Sequence, residues 1–191
     1  MEYILAIVVG VCLSAACGFR VFIPLLVVGL VSRVAGASLP ESLEWVSGDV
    51  ALCCFGVAAL VEAVAYYIPY IDNLLDTISG PLAVVAGSVV MGGMLGTMPD
   101  YLQWSLAIVA GGGAAGAVHA GTTALRAAST ATTGGLGNSV VSTVENGCSV
   151  VGSLLAMLAP VLAFIGLVVM VVFVWLQVRR LRRWKSKPVS A

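Results

Sequence analysis

Charge is scarce in this sequence: 9% of the 191 residues are Asp, Glu, Lys or Arg, whereas 60% are hydrophobic. So few polar side chains cannot cover a water-soluble globule of this length, and the composition gives an integral membrane protein. Histidine is almost missing, with His119 the sole example, which excludes a multi-histidine metal centre and leaves one imidazole for any Ser or Cys dyad. No G-x-S-x-G elbow, H-E-x-x-H helix or P-loop occurs, and each is the residue pattern its chemistry requires. The longest polar stretches are Ser32 to Asp49, Arg126 to Asn138 and the C-terminal tail. None can hold a soluble catalytic domain, so the chain is not expected to be an enzyme and no cofactor is expected. The five cysteines, Cys12, Cys17, Cys53, Cys54 and Cys148, lack C-x-x-C spacing and sit in apolar surroundings. They read as small packing residues, with neither a zinc site nor a disulfide framework. The first residues, MEYILAIVVG, carry no basic n-region, so the first apolar run is expected to be a retained helix and not a signal peptide.

Long apolar runs are what the chain does have. A bilayer core of about 30 Å takes about 20 helical residues. Tyr3 to Val31 is too long for one straight crossing, and Gly18 and Pro24 flanking Arg20 predict a bend or break there. Further crossings are expected at Val50 to Tyr67, Pro81 to Met98 and Leu102 to Leu125, with two more between Ser139 and Val178 around a tight turn near Ala156 to Pro160. Residues 68–79 place Ile71, Leu74, Leu75 and Ile78 at helical spacing, with Asp72, Asn73 and Asp76 elsewhere, which predicts a short amphipathic helix in the interface. Thr130 to Asn138 reads as a glycine-rich loop, and Asn138 with Ser139 resembles a helix N-cap.

The landmarks run in the same order twice. AACGFR from Ala15 is echoed by AAGAVH from Ala114, Glu62 by Glu145, and GPLAVVAG from Gly80 by APVLAFIG from Ala159. Three crossings per half would bring the second copy in from the opposite side, the inverted-repeat plan of many transporters. The expected architecture is therefore all-α, with about six crossings, five being the alternative, as two inverted three-helix repeats. Residues 1–101 form the first repeat, 102–178 the second and 179–191 a basic tail. Six of the nine Lys and Arg lie in that tail, which the positive-inside rule places in the cytoplasm against anionic lipid headgroups. Nucleic acid is not an expected partner.

Four ionisable residues stand where hydrocarbon is expected: Arg20, Glu62, His119 and Glu145. Each costs several kcal/mol unless it faces protein, water or a partner charge. Pairing is expected either within each half, Arg20 with Glu62 and His119 with Glu145, or across the repeat interface. Histidine exchanges protons near neutral pH, so these four define the candidate substrate or ion path. Gly18, Pro24, Gly113 and Gly116 mark expected broken or closely packed helix at mid-depth. Asp72 and Asp76 share one helical face with Asn73 beside it, a candidate cation or capping cluster; no particular metal is specified.

GFRVFIPLL from Gly18, E-x-x-x-x-x-x-P-x-x-D-N-x-x-D from Glu62, HA-x-x-x-x-x-R from His119 and T-x-G-x-G-N-S from Thr133 together resemble a family of small bacterial membrane proteins labelled domain of unknown function 4126. The resemblance covers Ala6 to about Gly166 and implies a compact helical membrane domain in the bacterial cytoplasmic (inner) membrane, without an assigned activity. Tyr66 after Ala65, and Asn146 after Glu145, stand where further acidic residues are expected. The functional expectation is a small transporter or channel for an ion or small polar solute, proton-coupled through its buried groups, as a homodimer with both termini cytoplasmic. The alternatives are a non-transporting scaffold or accessory subunit and a lipid-binding membrane protein.

Overall fold

A computed structural model of the chain describes residues 2–68 and 71–185, without the side chains of Glu2, Asn73, Val178 and 181–185. The described residues are helical throughout: α1 (Glu2–Phe19), α2 (Phe22–Ala35), a 3-10 segment (Glu41–Ser47), α3 (Asp49–Ala65), α4 (Ile71–Met94), α5 (Asp100–Leu106), a π segment (Ala107–Gly112), α6 (Gly113–Thr133), α7 (Asn138–Leu158) and α8 (Pro160–Lys185). Helix α1 is the axis of the bundle, packing against α4, α6, α7 and α8, while α2 packs against α3 and α7.

Burial is inverted relative to a water-soluble bundle. Helix α7 buries Asn138, Ser142, Glu145, Ser149, Ser153 and Ala156 and exposes Val140, Val144, Val151, Leu154 and Leu158. A helix with its polar stripe inward and its aliphatic face outward is stable only where the surroundings are apolar. Three helices among the described residues are long and apolar enough to cross a membrane, over Leu74–Met94, Asn138–Leu158 and Pro160–Gln177, and the 3-10 segment with α3, bent by 67°, is a broken span or a re-entrant loop. Helices α1 and α2 are apolar but shorter. Only 6% of the α8 window is buried, so this helix lies along the outside of the bundle.

The long first run breaks between Phe19 and Phe22, within the Gly18 to Pro24 interval. Pro24 sits in the first turn of α2, where a missing N–H costs no intrahelical bond. The tight turn before Pro160 is a single residue, Ala159. Three expectations are corrected. Residues 68–79 do not form a separate interfacial helix: from Ile71 onward they are the first turns of α4, and their polar face is the buried one, with Asp72 and Ser79 inside and Ile71, Leu74 and Ile78 outside. Pro69 and Tyr70, at the start of that range, lie outside the described residues. Of the two alternatives for Gly113 to His119 the broken one is dropped: the segment is unbroken helix, closely packed at Ala115 and Gly116, and the irregularity is the π segment just before it. The loop expected from Thr130 starts only after Thr133, where Gly134 and Gly135 take φ of 65° and 94°, a left-handed region that glycine enters without steric cost.

Close backbone approach explains several glycines. A Cβ on Gly18 would strike the Ala115 carbonyl oxygen and lie 2.6 Å from Val118 Cβ, and one on Gly87 would lie 2.7 Å from Ala115 Cβ. One on Gly116 would come within 3.1 Å of Val84 Cγ2, whereas a Cβ on Gly113 would meet nothing within 4 Å. Gly113 therefore has no packing role. Hydroxyls tie the same helices together: Ser14 donates to the Gly87 carbonyl at 2.8 Å and Ser149 to the Ala16 carbonyl at 3.2 Å.

Candidate functional site: a buried charge cluster

The break after Phe19 leaves the first N–H groups of α2 without intrahelical acceptors. Glu62, near the end of α3, supplies the acceptors: its two carboxylate oxygens receive the Val21 and Phe22 N–H groups at 2.9 and 3.2 Å. The carboxylate also sits at the positive end of the α2 dipole, a favourable place for an anion.

Arg20, at the break, turns into the bundle and is 1% exposed. Its Nη1 lies 3.1 Å from Glu145 Oε2, its Nε donates to Asn146 Oδ1, and its Nη2 donates to the Ser142 carbonyl at 3.4 Å. Arg126 on α6 reaches the same carboxylate, donating through Nε to Oε1 at 3.3 Å and through Nη2 to Oε2. Its Nη1 pairs with Asp76 Oδ1 at 3.1 Å. Glu145 thus bridges two guanidiniums. Both guanidinium carbons lie over the Tyr66 ring, 3.9 and 4.0 Å from its centroid, and the Tyr66 hydroxyl donates to Ser79 Oγ at 3.1 Å. One turn towards the helix ends, Asn138 Nδ2 donates to Asp72 Oδ2 at 2.8 Å and to Thr130 Oγ1 at 3.0 Å. Asn138 does not cap α7; Gly137 holds the N-cap position.

Arg20 therefore pairs across the two halves with Glu145 rather than with Glu62 within its own. Among the described residues His119 pairs with no carboxylate: its Nε2 lies 3.1 Å from the Asp76 carbonyl oxygen and 3.4 Å from Thr123 Oγ1, with its ring against Gly80. Asp72 and Asp76 point into the cluster, and the Asn73 side chain lies outside the described residues. Arg126, Tyr66, Ser142 and Asn146 belong to the cluster and stand outside the four deep charges expected from the sequence. Arg126 was legible as one of three cations outside the tail, with Arg20 and Arg33. Tyr66 and Asn146 are the two positions at which the acidic pattern of the resemblance fails, and both face Arg20.

The charges lie towards the ends of their helices. At ~1.5 Å per residue, Asp76 lies about 8 Å into α4, and Glu145 and Arg126 about 10 Å from the adjacent ends of α7 and α6. The cluster occupies one end of the bundle. From there the buried polar stripe of α7 continues inward through Ser149 to Ser153, about 22 Å from Asn138.

Among the described residues four carboxylates, Glu62, Asp72, Asp76 and Glu145, and two guanidiniums lie together in the protein interior, and the N-termini of α2, α4 and α7 each add a partial positive charge. Among the described residues no group of three or more His, Cys, Asp or Glu is arranged to hold a metal ion. Beside the cluster, an apolar groove of about 460 Å³ runs between α1, α7 and α8, lined by Cys12, Phe19, Cys148, Leu155, Leu162 and Met170 among others.

No curated protein and no solved structure matches the chain. The family model described as Domain of unknown function (DUF4126) matches residues 7–180, nearly the whole of the bundle just described, and the chain belongs to that family.

Proposed function

We propose that the chain is a small membrane transporter or channel for an ion or small polar solute, with a path along the inner face of α7 and coupling to a proton or other small cation. The buried charge cluster carries this reading. Arg20, Arg126, Asp76 and Glu145 meet in the interior of the bundle, and ionisable groups buried in a membrane bundle mark ion or solute paths by default. The position of the cluster at one bundle end, with hydroxyls leading inward from it, fits an entrance.

In this reading the bundle lies in a bacterial cytoplasmic membrane with its basic tail cytoplasmic. The expected six-crossing plan is not kept, because Ser42, after α2, meets Gly93 at the end of α4 away from the cluster, so α2 runs back from the cluster as a pass separate from α1. Gly18 of α1 meets Ala115 and Val118 of α6, and because both helices run antiparallel to α4 the two echo segments lie parallel, which does not support an inverted repeat. A homodimer would use the exposed face of α8.

The test is solute flux in proteoliposomes under an imposed gradient, with protons, alkali cations and small anions screened for wild type and Glu145→Gln. A selective flux that the variant loses supports the path. No flux from well-folded protein overturns it and favours the non-transporting readings, with the groove between α1, α7 and α8 as a contact for lipid chains.

A further inference from the structure

We propose that the bundle holds one anionic phospholipid, with an acyl chain in the groove between α1, α7 and α8 and the phosphate against Gln177 and Arg180 of α8. The site uses none of the charges of the buried cluster, so it stands whether or not the bundle transports.

Small residues open the groove. Ala15 and Ala16 of α1, Gly147 and Gly152 of α7, and Ala163 and Gly166 of α8 all line it. A Cβ on Gly147 or on Gly166 would meet nothing within 4 Å, so the protein's own side chains leave this space empty. From Val144 to Leu155 the groove follows α7 for about 16 Å. A helix about 10 Å across fills roughly 400 Å³ per turn and would need roughly 1,200 Å³ over that length. The groove offers about 460 Å³, which suits a single extended chain instead. Its lining is apolar, and α8 lies along the outside of the bundle, so that chain comes from the surrounding hydrocarbon.

The headgroup end follows from the face of α8. Gly166 and Met170 line the groove, and Phe173, Gln177 and Arg180 follow at three- and four-residue spacing on the same face, where they line a second recess. Trp175, with the Arg179 guanidinium 3.8 Å from its ring centroid, and the end of the apolar window at Gln177 mark the membrane–water boundary on this helix. A guanidinium there donates charge-assisted hydrogen bonds to phosphate oxygens. Arg179, with Arg182, Arg183 and Lys185 next in sequence, adds to the attraction for an anionic headgroup.

Chain length follows as well. Gln177 stands about 22 Å along α8 from Leu162 at the far end of the groove, whereas one leaflet of hydrocarbon is about 15 Å deep. A chain that fills the groove reaches past the midplane, so the site selects long acyl chains over short ones.

The experiment uses the purified full chain in non-ionic detergent, with dioleoyl phosphatidylglycerol, dilauroyl phosphatidylglycerol and dioleoyl phosphatidylcholine added separately. Native mass spectrometry counts bound lipid, and thermal unfolding is read in parallel. One dioleoyl phosphatidylglycerol per chain is expected to be retained and to raise the unfolding temperature, with the other two lipids bound at least tenfold more weakly. Gly147→Leu and Gly166→Leu, tested singly, fill the groove and should abolish retention. Arg179→Gln with Arg180→Gln, both on the surface, should lower phosphatidylglycerol to the level of phosphatidylcholine. No retained lipid in the wild type, equal retention of the two headgroups, or equal retention of the two chain lengths overturns the site. Phosphatidylglycerol bound as before by a folded Gly166→Leu also overturns it, because a basic tail attracted to any anionic surface would then account for the binding.

Discussion

Glu145→Gln tests the centre of the cluster. Glu145 is the one carboxylate whose two oxygens serve both guanidiniums, through Arg20 Nη1, Arg126 Nε and Arg126 Nη2. Glutamine keeps the shape but loses the charge, and it turns one acceptor into an amide donor facing N–H groups. Arg126 retains Asp76, whereas Arg20 is left with neutral acceptors, Asn146 and the Ser142 carbonyl. Removing one partner of a buried pair costs about 3–5 kcal/mol, chiefly because the other charge stays behind. The retained Asp76 contact puts the expectation at the lower end, about 3 kcal/mol. The reasoning requires a rescue: Arg20→Met combined with Glu145→Gln removes one charge of each sign and should return to within about 1 kcal/mol of wild type, a coupling of at least 2 kcal/mol. Reversible unfolding in mixed micelles measures both variants. A single substitution costing under 1 kcal/mol, or a double variant whose cost is the sum of its parts, refutes the bridging role. Stability restored without flux would place the function in the charges themselves.

Three further outcomes are expected. Tyr66→Phe loses only the hydroxyl bond to Ser79, about 1 kcal/mol, whereas Tyr66→Leu also removes the ring beneath both guanidiniums and should cost at least ~3 kcal/mol; equal losses in the same unfolding assay would dismiss the ring's role. Gly18→Val drives a side chain into the Ala115 carbonyl and should destabilise by about 1–3 kcal/mol through overpacking, while Gly113→Ala, with open space at its Cβ, should gain about 0.5–1 kcal/mol of helix propensity. Their order in thermal stability checks the α1 and α6 contact directly, and a reversed order contradicts it. Glu62→Leu uncaps the Val21 and Phe22 amides and should cost about 1–3 kcal/mol, with faster hydrogen exchange confined to the first turn of α2; exchange unchanged there would show that the carboxylate is not the cap.

The helix break and the turn at Ala159 were legible because Pro24 and Pro160 act on the backbone locally, and local chemistry survives without knowledge of the fold. The partners of the charges were not legible, because Arg20 and Glu145 meet only through the packing of α1 on α7. Arg126 was hidden by its company: TTALRAASTATT reads as a polar stretch, yet it continues α6 to Thr133. Helical spacing would have recovered it, since Ala115, His119 and Arg126 fall on one buried face of α6. The same rule applied to Asn138, Ser142, Glu145, Ser149 and Ser153 traces the polar stripe of α7.

What misassigned residues 68–79 was the direction of burial. Periodicity identifies the two faces of an amphipathic helix and is silent on which face is inside; that choice depends on the solvent. Given the water–bilayer interface, Asp72 and Asp76 face outward and Ile71 and Ile78 anchor the helix. Given surrounding hydrocarbon and a guanidinium from α6 to meet, the faces exchange, and Asp76 pairs with Arg126 while Ile71 and Ile78 lie outside. In a chain with three cations outside its tail, two of them buried with four carboxylates, the inward polar face is the one that lowers the free energy of both partners.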